Sequence, residues 1–195
     1  MYKNSVLAEV LYCMSLRLKG GGVKAKKIWT KKHIKWLESI LDVIDVSSAL
    51  LKADRDITGD DILPIIEFVN SNSKRLFGGT KIETGTFCDE NGEMILHNNN
   101  DWDSLDDKIV SCMQRITAEC RGLLKNKSKG YKDRVQQLLT AFHNLPRTYL
   151  SRVYDPDIKS TLLGRDYSRT AISKAEAAEY CLRADNITHS EVKPK

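Results

Sequence analysis

The chain has 195 residues, 41% hydrophobic, 29% charged and 7% aromatic, with 31 Lys and Arg against 26 Asp and Glu for a formal net charge of +5. That balance allows a sizeable core and excludes a disordered chain. No apolar run approaches the ~20 residues that a membrane-crossing helix needs. The stretch from Met1 to Leu18 is broken by Lys3, Glu9 and Arg17, so it does not read as a secretory signal.

The first helix is expected from Tyr2 to Leu18, with Leu7, Leu11, Met14 and Leu18 on one face. Gly20, Gly21 and Gly22 stop it, because consecutive glycines make continued helix costly. Thr30 is an N-cap for a second helix reaching Ala53, whose stripe is Ile34, Leu37, Leu41, Ile44 and Leu51. A third helix is expected from Asp61, with Pro64 in its first turn and Ile62, Ile65, Ile66 and Val69 buried.

From Thr80 to His97 the periodicity changes to two short strands around Asp89-Glu90-Asn91-Gly92. Asn-Gly between strand-like runs signals a hairpin, and a two-residue turn sets Phe87 against Leu96 and Cys88 against Ile95. A fourth helix follows from Ser104 to Lys127, with Ser104 and Asp107 as a capping box. Its Leu105, Ile109, Cys112, Ile116, Cys120 and Leu123 form a near-heptad stripe, suited to a bundle or a short coiled-coil seam. A fifth helix covers Tyr131 to Asn144, a short sixth begins near Pro146, and a last one runs from Ser173 to Ala184. The fold class is therefore mainly α: a single-domain helical bundle of about six to seven helices, with one β-hairpin near residues 80–97. Residues 1–185 form the domain and 186–195 a flexible tail.

Charge is blocked along the chain. Arg17 to Lys35 holds eight basic residues and no acid, Glu83 to Asp107 eight acids and no base, and Lys108 to Arg134 eight bases against Glu119 and Asp133. Blocks of this size attract a charged partner or a second copy of the chain, or neutralise each other within the fold. In the first block, Lys24, Lys26, Lys27, Lys31, Lys32 and Lys35 surround Trp29. Lysines make phosphate contacts and an exposed indole stacks on a base, so the Arg17–Lys35 segment is the candidate nucleic-acid surface.

Chemistry has little support. Asp54-Arg-Asp56-Ile-Thr58-Gly59-Asp60 resembles the opening of an EF-hand calcium loop, but the twelfth position is Ile65 instead of a bidentate carboxylate. The histidines and cysteines lack zinc spacing, and no phosphate loop, G-x-S-x-G or H-E-x-x-H is present. Arg134 and His143 on the fifth helix are the nearest approach to the Arg and His of HEPN-family nucleases, at wider spacing than that family uses. With Arg147 they define a small nuclease-like alternative. Ile172 to Leu182 resembles the first helix of excisionase-like helix-turn-helix domains, without the turn glycine. Cys13, Cys88, Cys112, Cys120 and Cys181 are scattered and odd in number, which points to reduced thiols in a cytoplasm. The leading expectation is a non-enzymatic binding or regulatory protein acting through protein contacts or self-association, with no cofactor, no metal and no membrane partner.

Overall fold

The computed structural model describes residues 2–19, 29–76, 78–83, 85, 88–98, 101–154 and 165–189. It is mainly helical. The described elements are α1 (Lys3–Lys19), α2 (Lys31–Lys52), β1 (Ile57–Thr58), α3 (Gly59–Ser71), a single helical turn at Ser73–Leu76, β2 (Ile95–Leu96), α4 (Ser104–Asn126), α5 (Tyr131–Phe142), α6 (Asn144–Val153), a 3-10 turn at Ser168–Thr170 and α7 (Lys174–His189).

Local chemistry sets the helix ends. Thr30 caps α2 by accepting from the His33 amide at 3.2 Å. Asp61 accepts from the Thr58 amide at 2.9 Å and so caps α3 from within, drawing its start two residues upstream of Asp61. Pro64 consequently lies in the second turn, exposed, where its missing N–H leaves only a solvent-facing carbonyl without a helical donor. α4 is capped one residue earlier than the sequence suggests: Asp103 accepts from Leu105 and Asp106, and Asp106 accepts in return from the Asp103 amide at 3.0 Å. Ser173 and Glu176 form the expected box on α7. That helix continues to His189, four residues into the segment expected to be a tail. It is one unbroken helix where a helix-turn-helix would need a turn.

α1 runs through the middle, packed on α2, α5 and most extensively α6. Val6, Leu7, Leu11 and Met14 are fully buried, and so are Lys3 and Glu9 on the same helix. Each buried charge is met by polar partners. The Lys3 ammonium donates to the carbonyls of Leu50, Ala53 and Arg55, and Glu9 accepts from the Tyr167 hydroxyl at 2.5 Å. The α4 stripe turns inward: Ile109, Cys112, Ile116 and Cys120 are buried within the fold, so no coiled-coil seam is left on the surface.

The hairpin turn falls where expected, with a different register. Gly92 takes φ 78° and donates to the Asp89 carbonyl, and the Asp89 amide donates to the Glu93 carbonyl at 2.8 Å. This is a type I turn with a left-handed glycine, one residue longer than an Asn-Gly two-residue turn. The extra residue moves the bridge partner of Cys88 from Ile95 to Met94. Phe87 lies outside the described residues. Past this bridge the outgoing arm pairs antiparallel with β1, Ile57 opposite Leu96 and Thr58 opposite Ile95. β1 and the Tyr2–His97 bridge thus supply the neighbours that a marginal hairpin needs.

Candidate functional surface

α2 and α4 lie antiparallel, joined by a ladder of polar contacts. At one end Lys52 Nζ sits 3.1 Å from Asp107. Midway, Thr117 Oγ1 donates to Asp45 at 2.5 Å and Arg121 reaches Asp42 and Asp45, both at 2.7 Å. At the other end Lys31, Ile34, Lys35 and Glu38 of α2 face Leu124, Lys125 and Lys127 across an open groove of about 490 Å3.

This packing sorts the charge blocks. The start of α2 and the end of α4 bring Lys31, Lys32, Lys35, Lys125, Lys127 and Lys129 to one end, all exposed. Among the described residues none of these six is in an ion pair. Lys31 and Lys32 occupy the first turn of α2, which contains no acid. The positive end of the helix dipole repels them, a local cost that a bound anion relieves. The far end of α2, about 33 Å away at 1.5 Å per residue over 22 residues, carries exposed Asp54, Asp56, Asp60, Asp103 and Asp107. Arg55 pairs there with Asp61 at 2.7 Å, Arg152 with Asp103 and Asp106 at 2.7 and 2.6 Å, and Lys52 with Asp107. Among the described residues, Lys31, Lys32 and Lys35 of the first basic block and Asp103 and Asp107 of the acidic block therefore lie toward opposite ends of α2.

Of the candidate nucleic-acid residues, Lys31, Lys32 and Lys35 come together on this end, while Lys24, Lys26 and Lys27 lie outside the described residues. Trp29 is half-buried, edge-on to His33 at 5.9 Å and Tyr131 at 6.3 Å. Trp36 lies under the Arg75 guanidinium at 3.9 Å. Burial, and then the Arg75 charge, hold the His33 pKa below its ordinary value. The indoles thus serve the packing between α1, α2 and α5, and the exposed chemistry at this end is that of lysine. Sequence reasoning missed Lys125 and Lys127 as groove residues. Their block was visible, but its meeting with the α2 lysines depends on antiparallel packing across about 90 intervening residues.

The nuclease-like trio does not converge on one described groove. Arg134 pairs with Glu119 at 2.7 Å and donates to the Ile187 carbonyl, whereas His143 is 7% exposed at the α5–α6 junction. Nine residues of helix place them about 13 Å apart along the axis. Arg147 is half-buried on α6. In the calcium-loop-like segment Asp54 and Asp56, and Asp61 just past it, have protein partners. Asp61 accepts both Arg55 nitrogens, Asp56 accepts from the Asn98 amide at 2.6 Å and faces His97, and Asp54 accepts from the Asn98 side chain. The Lys3 ammonium takes the nearby carbonyls.

The surface thus defines a mainly helical protein with charge separated along a two-helix axis. No protein-family model matches the chain, and comparison with curated proteins and with solved structures finds no significant match.

Proposed function

We propose that this chain is a non-enzymatic binding or regulatory protein that works through protein contacts or self-association, with the lysine-lined end of α2 and α4 as its contact surface. The observation that carries this reading is the group of six exposed lysines, in no ion pair among the described residues, at an end where Glu38 is the acid lining the groove. Such a surface is complementary to an acidic protein face, and the carboxylate end of a second copy is one. A head-to-tail contact of that kind is heterologous and builds rings or open chains of molecules. Light scattering across a concentration series at low and high salt tests it. Growth in mass at low salt, abolished by Lys31→Glu with Lys125→Glu, is the expected result. A strict monomer that also retains no acidic protein partner would sink the reading.

One observation favours a second reading, nucleic-acid binding through the Arg17–Lys35 segment. Lys31 and Lys35 share their groove with Lys125 and Lys127, which extends the segment into a phosphate-binding track. Fluorescence anisotropy with a labelled single-stranded oligonucleotide separates the two readings. The nucleic-acid reading requires binding that weakens steeply with salt and with the same two substitutions.

A further inference from the structure

Two thiols meet between α4 and α7, away from the charged ends. Cys112 and Cys181 are 1% and 0% exposed and face each other across the two helices, close enough for each thiol to shift the other's titration. The Cys112 sulfur lies 4.0 Å from the Cys181 carbonyl oxygen and 3.5 Å from Asp185 Oδ1, and it accepts a 3.1 Å hydrogen bond from Arg115 Nη2. Arg115 also pairs with Asp185, and its side chain is 45% exposed. A guanidinium in touch with solvent therefore covers the Cys112 sulfur.

The surroundings of the other buried thiols differ. Burial pushes Cys13 and Cys120 up to about 12, the behaviour of an inert core cysteine. Cys112 is displaced downward instead, by the hydrogen bond from Cys181 and, against burial and Asp185, by Arg115. Cys181 is displaced upward, by its hydrogen bond to Cys112 and by burial. Of the two sulfurs, Cys112 is the one that touches a guanidinium, Arg115 Nη2 at 3.1 Å, and so the one whose thiolate has a cationic partner.

We infer that Cys112 and Cys181 form a reversible dithiol pair that closes to a disulfide between α4 and α7 when hydrogen peroxide reaches the sulfur beneath Arg115. The Cys112 thiolate attacks the O–O bond, forming an S–O bond and releasing hydroxide, which leaves as water with the proton the thiol shed. The Cys181 sulfur then attacks the Cys112 sulfenic acid, and the S–O bond breaks. The departing hydroxyl takes the Cys181 proton and leaves as a second water. Two thiols and one peroxide become one disulfide and two waters, with sulfur oxidised and peroxide reduced. The Cys112 sulfur starts 4.0 Å from the Cys181 backbone, and the thiols must close to a bond of ~2.05 Å. The product ties the fourth helix to the seventh.

The test is non-reducing peptide mapping of the full chain carrying Cys88→Ser, which removes the exposed thiol, before and after treatment with hydrogen peroxide. The expected result is a Cys112–Cys181 linked peptide, reversed by dithiothreitol and accompanied by a higher Tm. Arg115→Gln, a surface change that leaves both thiols in place, is expected to keep the reduced Tm and slow linkage several-fold. Free thiols at both positions once the methionines have begun to oxidise, or linkage at the same rate in Arg115→Gln, would overturn the proposal.

Discussion

Lys3 shows how one residue can hold two distant segments. Its stem passes through the core and its ammonium ends on the carbonyls of Leu50, Ala53 and Arg55, at and just past the C-terminus of α2, where helix carbonyls run short of donors. Burial, and then the Arg55 charge, lower its pKa. The folded chain therefore releases this proton before the unfolded chain does. Stability from this group rises with pH between the folded pKa and 10.5. Lys3→Met removes the buried charge and orphans the carbonyls, and the second effect is the larger. The expected cost is about 2 kcal/mol in urea unfolding, together with loss of that alkaline rise; a more stable variant would contradict the assignment. Asp61 titrates with the opposite sign. The Arg55 side chain and the Thr58 amide hold its carboxyl well below the usual carboxylate range. Its contribution is present above the unfolded value near 3.8 and is lost as pH falls below it. Arg55 is half exposed, which discounts the pair, so Asp61→Asn should cost roughly 1 kcal/mol at neutral pH. Unfolding curves of variant and parent should converge in acid. Neither role was legible in the sequence. Lys3 looked like a charge interrupting an apolar stretch, and Asp61 like the start of a helix it caps from within.

At the level of elements, periodicity and caps located each of the seven helices, because an apolar face and a capping side chain are local properties. The hairpin turn was located for the same reason. What escaped was whatever needed a remote partner. Glu9 is buried because Tyr167, 158 residues away, donates to it, and no window of sequence contains both. The register of the Cys88 arm slipped by one because Gly92, alone of the turn residues, takes the left-handed conformation. The near-heptad stripe of α4 was legible as a stripe, yet its target was not: it fits a partner helix outside the fold as well as one inside. The structure puts Ile116 at 0% exposure among its own helices. Ile116→Ala should then cost 2–5 kcal/mol of folding stability. Light scattering on the variant should show the parent's mass wherever it remains folded. A change in mass without loss of stability would return the stripe to an intermolecular role.

Across the whole molecule, the charge blocks were legible in the sequence and their placement was not. Antiparallel packing of α2 on α4 brings Lys31, Lys32 and Lys35 beside Lys125 and Lys127 at one end and Asp103, Asp106 and Asp107 beside Lys52 and Arg152 at the other. Exposed lysines at a helix start contribute little to folding and much to the field outside. Lys31→Glu with Lys35→Glu should therefore leave Tm within a degree or two, or raise it slightly by satisfying the dipole of α2. The same pair should abolish salt-sensitive retention on a polyanion column. Unchanged retention would move the binding surface elsewhere.

The position of α1 has a consequence for how the protein is made. Its most extensive contacts are with α6, which follows it by more than about a hundred residues. At the ~5–20 residues per second of translation, an apolar helix waits on the order of ten seconds at the ribosome before its main cover emerges. The central helix is synthesised ahead of nearly everything that shelters it. Nascent chains stalled before Asn144 should bind holdase chaperones, and chains released after Val153 should shed them.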